Sequence, residues 1–213
     1  MKYQAIVFDL DGTLLDTIED LGEAVNHALR KRNLPLHTLE EYRTMVGNGV
    51  KKLVERALPV IPSEARNLLD DCLSDFMSYY ESHIDVHTRP YDGMPELLQA
   101  LAAQGVALAV ASNKFQSGAE YLVRKLFPGI PFVAILGNQE GFPLKPDPAI
   151  VETVLEKARV DKAHAALVGD SATDMKTAAN AGVPGIAVAW GYQAMTDYPV
   201  VAHSIEELKT ILS

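Results

Sequence analysis

Short apolar runs recur along the chain. Gln4–Leu10 (QAIVFDL) is almost continuously hydrophobic, and Val106–Ser112, Phe132–Leu136, Ala165–Val168 and Gly185–Ala189 repeat the pattern. Runs of this length without polar alternation suit strands covered on both faces, as in a parallel sheet. Around them the apolar spacing changes to three and four. Leu97, Leu98, Leu101 and Ala102 follow Pro95, a good first-turn residue, and run to Gly105. Ile150, Val151, Val154, Leu155 and Ala158 follow Asp147–Pro148, which reads as a cap and first-turn pair, while Met175, Ala178 and Ala179 run into Gly182. Ser204 and Glu207 have capping-box spacing ahead of Leu208, Ile211 and Leu212. This alternation predicts an α/β fold, a doubly wound parallel sheet with right-handed crossovers.

One interval breaks the rhythm. The stretch from about Asp16 to Val86 is too long for a single crossover, and it is helical. Ile18, Leu21, Val25, Ala28 and Leu29 share one helical face, and Ala65, Leu68, Leu69, Cys72, Leu73, Phe76, Met77 and Tyr80 repeat at helical spacing. Pro35, Gly47, Gly49, Pro59 and Pro62 punctuate it. The expectation is an inserted helical subdomain over 16–86, hung on links near Leu15–Thr17 and His87–Pro90. Residues 1–15 and 87–213 then form the main domain.

Composition narrows the class. The chain has 213 residues, 48% of them hydrophobic, enough for a core of its own. Acids outnumber bases 28 to 19, a formal charge of -9 that argues against non-specific binding to nucleic acid or anionic membrane. A few local cations and a metal can still reverse the sign within one cleft. A single cysteine, Cys72, excludes an internal disulfide and a multi-thiolate zinc site. The opening apolar stretch is too short for a signal peptide, and no run reaches the roughly 18 apolar residues of a spanning helix. A cytoplasmic location is the expectation.

Ligands of such sheets bind beyond the carboxyl ends of the strands, so the residues after each run carry the chemistry. Asp9 closes the first run, with Asp11-Gly12-Thr13 behind it; Ser112-Asn113-Lys114 ends the second; Lys145-Pro146 follows the third; Gly169-Asp170-Ser171 follows the fourth, with Asp174 one helical turn on. Four acids on one edge repel one another unless a hard divalent cation joins them, and an all-oxygen ligand set suits Mg²⁺. Lys145 offers a compact charge and Ser112 a hydroxyl to a phosphoryl group, and backbone N–H groups around Gly12–Thr13 and Ser112–Asn113 can cradle its oxygens. A carboxylate can attack phosphorus to give an aspartyl-phosphate, and a second acid two residues on can protonate the leaving oxygen and then activate water.

These motifs resemble those of the haloacid dehalogenase superfamily, in its phosphatase branch. Asp9-Leu10-Asp11-Gly12-Thr13-Leu14-Leu15-Asp16 matches the pattern DxDGTLxD, Ser112 the lone hydroxyl at a strand end, Lys145 in KPDP the third motif, and Gly169-Asp170-Ser171-Ala172-Thr173-Asp174 the pattern GDSxxD. The resemblance implies a Rossmann-like core in which Asp9 is nucleophile and metal ligand. It makes Asp11 the general acid/base, also a ligand of Mg²⁺ through its backbone carbonyl. It gives Ser112, Asn113 and Lys145 to phosphate binding, Asp170 to the metal and Asp174 to its surroundings. The helical insertion resembles the family's small cap.

Val46-Gly47-Asn48-Gly49 with Leu53–Leu58, and Gly182-Val183 leading to Trp190-Gly191-Tyr192, resemble the phosphoglycolate phosphatases. A small phosphorylated metabolite is therefore the expected partner, with Lys51 and Arg56 as candidates to meet its second anion. A sugar phosphomutase of the β-phosphoglucomutase kind, a pyrophosphatase and a nucleotidase remain alternatives within the superfamily. A phosphoryl-accepting signalling receiver is the reading from another class. Asp9 on the first strand and the helical insertion count against it.

Overall fold

The computed structural model describes residues 2–59, 66–193 and 195–213. Pro62 and Ala65, placed above in the punctuation and helical stripe of the insertion, lie outside the described residues. Strand β1 (Ala5–Phe8) leads through the short β2 (Leu15–Asp16) into helices α1 (Ile18–Arg30), α2 (Leu39–Met45), α3 (Val50–Ala57) and α4 (Arg66–His83), and the chain returns through β3 (Arg89–Pro90). Then follow α5 (Met94–Ala103), β4 (Ala107–Phe115), α6 (Gln116–Leu126), β5 (Phe132–Asn138), α7 (Ala149–Ala158), β6 (Ala165–Gly169), α8 (Ala172–Ala181), β7 (Gly185–Val188), β8 (Val201–Ala202) and α9 (Ile205–Leu212).

Among the described residues the main sheet is parallel throughout, in the order β5-β4-β1-β6-β7-β8. β1 is central, with Phe8 paired to both Val110 and Val168. The chain builds outward from β1 through β4 and β5, then crosses back to β6. That reversal opens a crevice at the carboxyl ends of β1, β4 and β6.

The two faces follow from the two-residue period of strands. Ala5 and Val7, with Ala109, Ala111, Ala165 and Leu167, pack with Ile150, Val151 and Val154 of α7 and Ala178 of α8. Ile6 and Phe8, with Leu108, Val110 and Val168, join the larger cluster. There they meet Leu98 of α5, Leu122 of α6 and Leu208 of α9. Leu21, Val25, Tyr42, Leu53 and Phe76 from α1–α4 belong to this same cluster, so the helical insertion is packed onto the sheet domain.

The links are more structured than their sequence suggests. β2 and β3 pair antiparallel, Leu15 with Pro90 and Asp16 with Arg89. Buried Asp20, in the first turn of α1, accepts from the backbone N–H groups of His87 (2.9 Å) and Thr88 (2.8 Å) and from the Thr88 hydroxyl (2.7 Å). It clips the outgoing helix to the returning chain.

Two capping expectations change in detail. Ser204 accepts from the Glu207 N–H, but the Glu207 carboxylate reaches one residue further out, to the His203 N–H (2.8 Å), so the reciprocal bond to Ser204 is not made. Pro148, not Asp147, is the N-cap of α7; the Asp147 carboxylate accepts from the Ala149 N–H (2.9 Å) from the position before it.

Candidate active site

The residues expected at strand ends meet at the crevice. Asp9 directly follows β1, and its N–H extends the ladder to the Val168 carbonyl (2.9 Å), which fixes the backbone from which its carboxylate projects. The Lys145 ammonium, buried between two acids, donates to Asp9 Oδ1 (2.7 Å) and Asp174 Oδ1 (2.6 Å). Asp174 is fully buried and also serves its helix. It forms a reciprocal capping box with Ser171 at the start of α8, taking the Ser171 N–H (3.1 Å) and hydroxyl (2.5 Å) on Oδ2. One residue therefore both caps α8 and faces Lys145 with its other oxygen.

Asp170 accepts from the Thr13 hydroxyl (3.2 Å) and the Tyr192 N–H (2.7 Å). The backbone closes on it from two sides. Gly12 sits at φ +88, where an added Cβ would come within 2.8 Å of the Asp170 carboxyl carbon, and a Cβ on Gly191 would collide with the Asp170 side chain. Asp9, Asp170 and Asp174 can each offer a carboxylate oxygen such that all lie within 4.8 Å of one another, and all three are buried.

That crowding sets the electrostatics. Burial, then the charges of Asp174 and Asp170, hold the Asp9 carboxyl well above the usual carboxylate range, although Lys145 pulls it down. Burial and then Asp174 push Asp170 up to about 7, against its bonds to Tyr192 and Thr13. Burial opposes the charge of Lys145, but Asp174 and Asp9 more than offset this and raise it. One ammonium shared by two of three buried carboxylates leaves negative charge uncompensated, and a hard cation with oxygen ligands fits that deficit.

Asp11 stands apart from this cluster and faces a cavity of about 40 Å³. Asp9, Asp11, Ser112, Asn113 and Lys114 line its sheet side, and Leu21, Val46, Val50 and Leu53 line its helical side, with Gly47 and Gly49 between. Ser112 is buried and its hydroxyl accepts from the Lys114 N–H (3.1 Å). The Asn113 side chain braces its neighbours. Its carbonyl takes the Lys145 N–H (2.9 Å), and its amide donates to the carbonyls of Lys145 and Gly47, both at 3.2 Å.

Two expected residues are placed elsewhere. Lys51 is exposed on α3, outside the cavity lining. The exposed Arg56 guanidinium donates to the Met45 carbonyl and to Asn48 Oδ1, both at 2.7 Å. It thus braces the Gly47–Gly49 loop. Lys51 and Arg56, expected to meet the substrate's second anion, are not among the residues that line the cavity. Asn48 itself reaches across to Thr173 (3.2 Å), at the start of α8.

The sequence reading missed other groups. Lys114, with its side chain 1% exposed, donates to Asp11 Oδ1 (3.0 Å) and to the Tyr80 hydroxyl (2.7 Å). Thr17 donates to Asp11 Oδ1 (2.8 Å), and Tyr192 joins Thr17 through its hydroxyl (3.1 Å). Tyr80, Thr17 and Tyr192 gave no signal beyond an apolar stripe, a link and a loop. Lys114 gave one: a lysine directly continuing an apolar run.

Comparisons with known proteins place the chain in a family. The sequence profile of haloacid dehalogenase-like hydrolases matches residues 6–188. The phosphoglycolate phosphatase of Agrobacterium fabrum is 36% identical over 196 residues, covering 92% of this chain and 83% of its own. That of Mesorhizobium japonicum is also 36% identical, covering 90% and 85%. A crystal structure from Lactobacillus delbrueckii subsp. bulgaricus matches with a TM-score of 0.93 at 32% identity, covering 100% of this chain and 99% of that one. The chain belongs to the haloacid dehalogenase-like hydrolases. Within them it is a phosphatase, a phosphoric monoester hydrolase.

Proposed function

We propose that the protein is a Mg²⁺-dependent phosphatase of small phosphomonoesters, with phosphoglycolate as its preferred substrate, working in the cytoplasm. The observation that carries this reading is the Asp9–Lys145–Asp174 chain beside Asp170, set against a small cavity bounded by Asp11. The relatives named phosphoglycolate phosphatase support the substrate.

Asp9, Asp170 and the Asp11 backbone carbonyl would hold Mg²⁺, which supplies neutralising charge for the phosphoryl oxygens. Lys145 holds Asp9 in position and presents positive charge beside it. In the first step an Asp9 carboxylate oxygen attacks phosphorus, the bond from phosphorus to the leaving oxygen breaks, and the proton carried by Asp11 passes to that oxygen. In the second step water attacks the aspartyl-phosphate and gives its proton to Asp11, freeing Asp9 and inorganic phosphate. Ser112 and the backbone near Asn113 bind the phosphoryl group, since the Asn113 side chain is already committed to Lys145 and Gly47.

Residues 16–86 act as a cap over this site. The Gly47–Gly49 loop and the amino end of α3 face the leaving group and select it. A panel of phosphoglycolate, sugar phosphates, nucleotides and pyrophosphate, each with Mg²⁺ and with chelator, tests the reading. Phosphoglycolate should give the highest kcat/KM, and chelator should abolish turnover. A sugar bisphosphate or pyrophosphate far ahead of phosphoglycolate would reassign the substrate, and full activity in chelator would remove the metal.

A further inference from the structure

The cavity beside Asp9 is apolar on its helical side. Leu21, Val46, Val50 and Leu53 form that wall, and neither Lys51 nor Arg56 joins it. The acids Asp9 and Asp11 stand on the sheet side. A leaving group with a carboxylate of its own would meet no cationic side chain from the helical insertion and would be repelled by two acids. Burying a charge in such surroundings is costly unless it is paired and hydrogen-bonded. The partner of a second anion has to come from elsewhere on the cavity wall.

The first group that fits is Lys114, at the end of β4. It is the one cationic side chain among the lining residues, and that side chain is 1% exposed. An ammonium carries three N–H donors. The Tyr80 hydroxyl takes one at 2.7 Å, and the Asp11 carboxylate takes another, forked at 3.0 Å to Oδ1 and 3.4 Å to Oδ2. Among the described residues no further acceptor meets the third. A buried ammonium with a donor to spare, on the wall of a cavity, is matched to an anion that enters it.

The second group is the amino end of α3. Gly49 is the N-cap and offers no side chain, and the first turn holds no acid. The N–H groups of Val50, Lys51 and Lys52 have no partner within their own helix, and the helix dipole adds to their pull on an anion. Gly49 and Val50 both line the cavity.

These two groups adjoin. A Cβ added to Gly49 would lie 3.4 Å from the carbonyl oxygen of Asn113, the residue before Lys114. The Asn113 amide also donates to the Gly47 carbonyl at 3.2 Å, which ties the loop ahead of α3 to the end of β4.

We propose that Lys114 and the first-turn N–H groups of α3 form the subsite for a carboxylate on the leaving group, so that Lys114 selects phosphoglycolate over an uncharged phosphomonoester. The inference rests on the phosphatase and substrate reading given above, and it names the groups that read the second anion. Lys51 and Lys52 take part through their backbone N–H and not through their ammonium groups.

The test is the ratio of kcat/KM for phosphoglycolate to that for ethyl phosphate, the same two-carbon ester without the carboxylate. Both esters expel an alkoxide oxygen and call on Asp11 alike, so damage to Asp11, to the metal site or to folding cancels in the ratio. The parent ratio should exceed about tenfold. Lys114→Met keeps the apolar stem and removes the ammonium. Both rates should fall, because Asp11 loses a partner, and the ratio should fall by about 10–100-fold, the usual effect of losing a hydrogen bond between charged groups. Val50→Pro removes one N–H at the first helical position, where proline is well accommodated. It should lower the ratio by about 3–10-fold, and it carries the test alone if the Lys114 variant does not fold.

A parent ratio near one would overturn the subsite together with phosphoglycolate as the preferred substrate. A high parent ratio that Lys114→Met leaves unchanged, with equal losses on both esters, would overturn the subsite alone and leave Lys114 a partner of Asp11. So would an unchanged ratio in Val50→Pro where that variant carries the test. A ratio lowered by Lys114→Met but not by Val50→Pro would overturn the part assigned to α3.

Discussion

The Asp9 carboxylate is held in an environment that resists its charge. Burial and the neighbouring Asp174 and Asp170 oppose ionisation, and only Lys145 favours it. Such an arrangement sacrifices stability for a reactive, poorly solvated nucleophile. Asp9→Asn should therefore abolish turnover, because an amide does not attack phosphorus. It should keep the fold, because the amide oxygen can still accept from Lys145. In metal-free buffer its Tm should equal or exceed that of the parent protein, since one crowded acid is gone. Circular dichroism melts beside a phosphate-release assay check both halves, and a variant that turns over at near-normal rate would end the mechanism. Asp9, Asp11, Ser112, Lys145, Asp170 and Asp174 could all be picked out in the sequence, because each lies at or just past an apolar run and is of a type with obvious chemistry. Tyr80 could not, and Lys114 only as a lysine continuing an apolar run, with no sign of its partners. Their meaning comes from a contact across 34 residues that no local pattern encodes.

Longer elements were legible for a related reason. β1, β4, β6 and β7 are buried on both faces and read as apolar runs, β5 reads as one although it is an edge strand with Val133 exposed, and α5, α7 and α8 show helical spacing bounded by Pro or Gly. β2, β3 and β8 span two residues each, too few for any period to appear. α3 shows the limit of composition as a guide: Lys51, Lys52 and Arg56 lie close in sequence, but helical geometry turns them outward while Val50 and Leu53 face the cavity. Arg56→Ala should consequently act through the loop it braces. Turnover of phosphoglycolate and of an aryl phosphate should fall by similar factors, within about threefold of each other, because the Gly47–Gly49 backbone loosens for both. A much larger loss on phosphoglycolate would restore Arg56 as a direct ligand. At the links, Asp20→Ala removes a buried carboxylate that accepts three well-formed bonds from His87 and Thr88. Hydrogen bonds to buried charged groups contribute about 1.5–3 kcal/mol, so urea unfolding should report a loss of about 2–3 kcal/mol. A loss below about 0.5 kcal/mol would mean that the clip is not holding the helices to the sheet domain.

At the scale of the whole molecule, the crowded acids make stability depend on pH in an unusual direction. A carboxyl whose folded pKa is raised binds more protons folded than unfolded, so its stabilising contribution is complete below the ordinary carboxylate range and is lost as pH rises through the folded value. For Asp170 that window runs from the usual 3.8 to about 7, and Asp9 is shifted the same way. The acids shifted downward, among them Glu41, Asp75 and Asp85, lose their contribution only as pH falls below the ordinary range, outside this window. Metal-free protein should therefore be less stable at about pH 8 than at about pH 5, by on the order of 2 kcal/mol from Asp170 alone. Mg²⁺ binds the ionised carboxylates and competes with their protons, so its stabilisation should have the opposite slope, small near pH 5 and large near pH 8. Thermal melts across this range, with chelator and with Mg²⁺, read both effects without reference to turnover. A metal-free Tm that climbs from pH 5 to pH 8 would show that Asp9 and Asp170 are not strained by one another. Mg²⁺ stabilisation that is flat with pH would place its binding away from these carboxylates.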